Sequence, residues 1–468
     1  MKRSLSIGPP LAFLAIGHLL FLGLFILAFI HFLERTIHVD SAYQIFKWIQ
    51  LSGVEVEAHR YSAILPQFLV KLGKGMGVGL SGLLLLASLA HVGVAYLIFL
   101  ITAYVLRTPW IAAATALSAV LCTRLTFYGI VLEANYLLSY PLLLAAVIEG
   151  PLLRGSGHFA TGLLIFALAL VLLVHPVGFL IALFVIAWYF LHHDHLRKRL
   201  VLPLSLAVAW SLFGRVVFPP SPYEAGLYSS AGSGFSEPVP STNAALDFLR
   251  QHSWQDTTTY LPLWLLVLTT ALLLTRARAW TALGLFVIAV IGYVAINAVT
   301  YRTGETAMMM EKNFLPLAVL VAIPLAGRLG IASRTQQWWA LAPFIVVLFI
   351  QFRGISFASR EAKERTDHIA QVVRETRENG IRKAIYRSTK LDERGFYIHW
   401  ALPFETILFS SLDGPSQCLT AIAITDTEAT NEDPVRSIFD EGMKEEQLDK
   451  RYFTLPNGPF EFIKETSS

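Results

Sequence analysis

The sequence predicts a polytopic α-helical membrane protein, with about eleven transmembrane helices and a small C-terminal extracytoplasmic α/β domain. Three observations lead there. Of the 468 residues 55% are hydrophobic and only 15% charged, where soluble proteins carry about 25%, and the mean hydropathy is +0.56. Apolar runs of roughly 17 to 25 residues, the length that crosses hydrocarbon, recur along the first three quarters of the chain. Finally, 20 of the 33 acidic residues follow Gly354, which sets off a charged tail.

The apolar runs fall at about 7–31, 80–106, 110–124, 136–150, 158–174, 177–192, 200–217, 259–275, 279–299, 313–327 and 336–352. The first is longer than a signal h-region and lacks a small-residue cleavage site, so it reads as a retained helix. With the N-terminus inside, the basic clusters Lys2-Arg3, Arg197-Lys198-Arg199, Arg276/Arg278 and Arg328/Arg334 share the cytoplasmic side. Eleven crossings then put residues 354–468 outside and make 1–353 the membrane domain. Among the acidic residues before Gly354, only Glu149 and Asp194 map inside. Acidic residues barely influence insertion, so the asymmetry points to a titratable chamber on the outer face. No N-x-S/T sequon occurs, which favours a bacterial inner membrane over the secretory pathway. Cys122 and Cys418 lie far apart and give neither a disulfide framework nor metal-ligand spacing.

The first outer loop, 38–79, contains two predicted interfacial helices. Residues 41–50 space Tyr43, Phe46 and Ile49 by three; from Tyr61, the residues Ile64, Leu65, Phe68, Leu69 and Leu72 continue one apolar stripe. Both suit a helix lying in the headgroup region. The second outer loop, 218–258, is rich in Pro, Gly and Ser, which argues against regular structure, and is long enough for a lid. In the tail, 357–384 reads as a charged helix, and "TILFSSL" and "LTAIAIT" as strands.

The stretch "DSAYQIF…RYSAILPQFL" resembles the first-loop signature of the GT-C glycosyltransferases, in the branch of the protein O-mannosyltransferases and lipid A aminoarabinose transferases. There an Asp opens the loop and an aromatic-then-Pro motif opens the second interfacial helix. "EKNFLPLAVLVAIPLAG", 311–327, is similar to that branch's late-span opening, whose basic residue lies by the donor phosphate. The soluble outer tail also fits the layout. The resemblance implies transfer of a sugar from a polyprenyl-phosphate-linked donor to a protein, lipid or glycan acceptor on the outer face, among membrane lipids and without nucleic acid.

The residue types suit that chemistry. An acceptor hydroxyl loses a proton as the bond forms, which a placed carboxylate takes up, and the departing phosphate needs cations. Asp40 is the candidate base, although Asp also caps a helix starting at Ser41. Glu133 in "LEANYLLSYP" is a candidate second carboxylate or a solvated turn residue. Lys312, Arg302 and Arg60 are the candidate phosphate contacts; Arg60 can equally snorkel to headgroups. His175, Tyr61 and Glu305 are candidate lining residues. Two departures from the branch stand out. Asp40 precedes Ser41 rather than a second acid, so the spacing does not support a divalent metal, and Asn313 rather than an aromatic follows Lys312. A non-catalytic subunit or transporter keeping the layout is the alternative; a transporter is expected to carry charges near midplane, where these spans are almost free of them.

Overall fold

The computed structural model describes residues 8–155, 157–220, 224–226, 228–230, 232, 243–425 and 445–463. Each of the eleven apolar runs contains helix, although the third, 110–124, is helical only as far as Ser118. In chain order the helices before the tail are α1 (Pro9–Ile30), α2 (Phe32–Thr36), α3 (Val39–Gln50), α4 (Gln67–Gly75), α5 (Leu80–Leu100), α6 (Pro109–Ser118), α7 (Tyr140–Val147), α8 (Gly157–Leu172), α9 (Gly178–His192), α10 (Arg197–Val217), α11 (Ala244–Trp254), α12 (Leu261–Arg276), α13 (Trp280–Thr300), α14 (Ala307–Phe314), α15 (Pro316–Ile331) and α16 (Arg334–Glu378).

Among the described residues, five helical stretches are long and apolar enough to cross a membrane alone: Pro9–Ile30, Leu80–Val105, Trp280–Thr300, Ala307–Ile331 and Arg334–Glu378. A sixth arises if α9 and most of α10, bent by 120° at their junction, form one broken span; α8 and α12 are apolar but shorter. The chain is a multi-pass helical membrane protein. The remaining expected spans, α6 and α7, are short and buried on every side, as a helix apolar all round must be.

Between α6 and α7 the chain leaves helical geometry while staying inside the protein, so its peptide groups need partners. Side chains supply them. Glu311 of α14 is almost fully buried and accepts from the Arg124, Leu125 and Thr126 N–H groups at 2.6, 3.0 and 2.9 Å and from Thr126 Oγ1 at 2.6 Å. Gln351 of α16 accepts from Cys122 N–H, where the backbone turns left-handed at φ +64°, and donates to the Thr258 and Thr259 carbonyls. Asn135 donates to the Thr126 and Gly129 carbonyls, and the buried Arg35 to that of Phe127.

The first outer loop folds differently from its periodicity. Tyr61–Ile64 is a 3₁₀ turn and α4 begins only after Pro66, because proline lacks an N–H and disfavours helix at the residue before it. The apolar stripe still faces outward, with Phe68, Leu69 and Leu72 56%, 44% and 61% exposed, as expected of a surface against lipid. In α3 the outcome is the reverse. Phe46 and Ile49 are buried against the tail, with the Phe46 ring packed at a tilt 5.5 Å from that of Phe404 and 5.2 Å from that of Phe453.

In the tail, α16 runs unbroken from the last span to Glu378 and stops at Asn379-Gly380, where Gly380 adopts φ +69°, a common helix stop. The predicted helix end at 384 overlooks that signal, and β1 (Lys383–Arg387) follows instead. Next come α17 (Ser388–Glu393) and α18 (Leu402–Ser410). The expected strand "TILFSSL" is mostly α18, whose start Pro403 marks at the position where proline is preordered for a helix. "LTAIAIT" is β2 (Thr420–Ile424), as expected; with β3 (Glu461–Phe462) it forms a parallel sheet of order β2-β1-β3. Parallel neighbours need a crossover, which α17 and α18 provide. One apolar core holds residues of α3, α4, α16, α18 and β2 together.

Glu311→Ala leaves three buried N–H groups and a hydroxyl without acceptors, each costing about 1–3 kcal/mol. It is expected to abolish a cooperative melt in detergent. Glu311→Gln retains one acceptor oxygen and is expected to melt lower but cooperatively.

Candidate active site

Glu311 fixes the start of the Ala307–Ile331 stretch, and its neighbour Lys312 reaches into a cavity of about 360 Å³. The size lies at the lower end of small-molecule pockets. Pro176, Phe179 and Leu180 from the α8–α9 turn and α9, and Tyr293, Ile296 and Asn297 of α13, form its mostly apolar wall; Arg60, His175, Glu224 and Lys312 form its polar end. A smaller lobe of about 100 Å³ shares Arg60, His175 and Glu224 and extends to Trp210 and Phe218.

Arg60 follows the short 3₁₀ turn Glu57–His59. Its guanidinium donates to Glu133 Oε2 at 2.6 Å and to Glu224 Oε1 at 3.1 Å. Glu133, which opens the 3₁₀ turn Glu133–Leu138, is 5% exposed. A carboxylate so removed from water requires a cation, so Glu133 is committed to holding Arg60. Lys312 makes no ion pair among the described residues, and its ammonium remains available to a ligand.

Asp40 lies in the first turn of α3, half-buried, within Coulombic reach of Lys312, Glu133, Arg60 and Glu405. The helix begins one residue earlier, at Val39; the cap position is His38, and no side chain bonds there. Asp40 therefore does not cap α3. Loss of water contact raises its carboxyl to about 6, with Lys312 and Arg60 opposing the rise and Glu133 and Glu405 adding to it.

The other candidates divide. His175 lines both lobes, and its carbonyl accepts from the Gly178 N–H. Tyr61 is outside the cavity wall and packs at 5.7 Å on Phe218. Arg302 and Glu305 are not wall residues either; the Arg302 carbonyl accepts from Ala244 N–H, and Glu305 is exposed, within electrostatic range of Lys312. No group of three potential metal ligands occurs among the described residues.

Sequence reasoning missed Tyr293 and Asn297, although a lone Asn in an apolar span is itself a signal. It also missed Glu405, a single carboxylate inside the apolar run "ALPFETILF" that is fully buried and so had to be paired.

A carboxyl whose pKa is higher folded than unfolded binds more protons in the folded state, so its contribution to stability falls as pH rises through about 4 to 6. Asp40→Asn removes that penalty. The variant is expected to melt above the wild type at pH 8 and with it at pH 4, read from detergent melts across that range.

No protein family, curated protein or solved structure matches the chain.

Proposed function

We propose that this protein is an integral-membrane glycosyltransferase that moves a sugar from a polyprenyl-phosphate-linked donor to an acceptor on the outer face of a bacterial inner membrane. In this reading the chain crosses eleven times, counting the short buried helices with the long ones, and the tail is periplasmic.

The observation that carries the reading is the convergence of Lys312 and Arg60 at the polar end of a cavity whose other walls are mostly apolar, with Asp40, not itself a wall residue, within Coulombic reach of both. A lipid phosphate needs that combination, with cations for its head and hydrocarbon for its first prenyl units. Lys312 takes the phosphate charge, and Arg60, held by Glu133, faces it from the side. Asp40 accepts the proton of the acceptor hydroxyl as that oxygen bonds to the sugar's anomeric carbon. The bond from that carbon to the phosphate oxygen breaks, and the phosphate leaves with the electron pair. A carboxyl near 6 is mostly ionised at neutral pH and more basic than an ordinary aspartate, as proton removal requires.

Asp40→Asn keeps the shape and removes the base, so transfer in a purified assay is expected to drop about 10²–10⁴-fold while donor binding persists. Full activity in the folded variant removes Asp40 from the mechanism. Lys312→Ala loses a charge-assisted contact worth about 1.5–3 kcal/mol. Its donor requirement is expected to rise at least tenfold with the melting temperature unchanged.

A further inference from the structure

Asp40 is preceded by a backbone conformation that its own sequence disfavours. Val39 adopts φ +38°, where the Cβ of an L-residue crowds the backbone and a β-branched side chain is a clear outlier. Such a conformation persists only where the surroundings impose it. The surroundings here belong to the tail. Val39 N–H donates to Glu405 Oε1 at 2.8 Å. Glu405, fully buried in α18, is gripped by the Arg365 fork from α16, Nε to Oε1 at 2.6 Å and Nη2 to Oε2 at 2.7 Å. Arg365 is itself fixed by the Ile398 carbonyl at 2.9 Å and by the Phe396 ring, 4.3 Å below its guanidinium. On the other side of the turn, the Ser41 and Ala42 N–H groups bond to the His38 carbonyl. Burial, then the Arg365 charge, press the His38 imidazole down to about 3, so no second cation competes for Glu405.

We propose that the Arg365–Glu405 pair is a positioning device for Asp40, by which the tail holds the left-handed turn at Val39 and so sets the place of the neighbouring carboxylate in the electrostatic field of Lys312 and Arg60. The tail thereby gains a role as part of the reaction centre's frame. The chemical consequence rests on the glycosyltransferase reading; the geometric one does not. A purely structural role, in which the pair only stabilises the tail core, makes a different prediction. Glycine adopts φ near +38° without a Cβ penalty, so Val39→Gly frees the turn from its dependence on Glu405 but does nothing for a weakened tail.

The test uses the full chain in nanodiscs as wild type, Glu405→Gln, Val39→Gly and the double variant. Two quantities are read: hydrogen exchange of the Ser41 and Ala42 amides, and sugar transfer. A glutamine presents an N–H₂ where the second arm of Arg365 needs an acceptor. Glu405→Gln is therefore expected to speed exchange at least tenfold and to cut transfer about 10²-fold, the usual penalty for a reacting group displaced by about 1 Å. In the double variant both return to within a few-fold of Val39→Gly alone. Unchanged exchange in Glu405→Gln, or failure of glycine to rescue, overturns the proposal. Should Glu405→Gln not fold, Arg365→Lys, which keeps the charge and loses the fork, takes its place with the same expectations. If the wild type transfers no sugar, the functional reading fails while exchange still decides on the clamp. Normal transfer together with unaltered exchange in the variants sinks the clamp and leaves the reading standing.

Discussion

The irregular backbone between α6 and α7 has to satisfy its peptide groups inside an apolar bundle, and the rest of the architecture depends on how it does so. A buried N–H without an acceptor costs about as much as a large share of a domain's net stability. Glu311 meets three of these demands at once and takes the Thr126 hydroxyl as well, and Gln351 meets another, so two distant helices are fastened to the same short stretch. That fastening sets where the Ala307–Ile331 stretch begins, and with it the reach of Lys312 into the cavity. The α6–α7 connection, although irregular, is thus a fixed part of the scaffold.

The same logic governs charge. Every deeply placed carboxylate near the site is tied to a cation or to several N–H groups: Glu133 to Arg60, Glu405 to Arg365, Glu311 to the backbone. Asp40 and Lys312 are the exceptions among the described residues; they share one electrostatic neighbourhood without an ion pair. Uncompensated charge in a half-buried setting is a cost to folding, and it is tolerated where chemistry needs a group that is not already engaged. The contrast separates scaffold from the proposed reaction centre more sharply than position along the chain does.

How much of this was legible beforehand follows the range of the interactions involved. Apolar periodicity located the eleven apolar runs, because burial or lipid contact imposes it residue by residue, but it missed α11, which Asn243 caps inside the 218–258 loop expected to be irregular. It misjudged how many are long enough to cross alone, since a buried helix and a short span look alike in composition. Asp40, Arg60, Glu133, His175 and Lys312 were recognisable by type and neighbourhood. Their pairing was not, because the Arg60–Glu133 contact spans 73 positions and the Val39–Glu405 contact 366. The strand expected at 406–412 failed because Pro403 and tertiary packing overrode a local preference for sheet. The left-handed Val39 leaves no trace in the sequence, where valine argues against it.

The central claim is that the cavity takes a lipid phosphate at its cationic end. Equilibrium binding of a short-chain polyprenyl monophosphate to the purified wild type in nanodiscs, measured beside the corresponding prenyl alcohol, tests it most directly. The account predicts saturable binding of the phosphate at least tenfold tighter than of the alcohol, a preference that weakens as salt is raised. Equal affinity for the two, or no saturable binding of either, contradicts it.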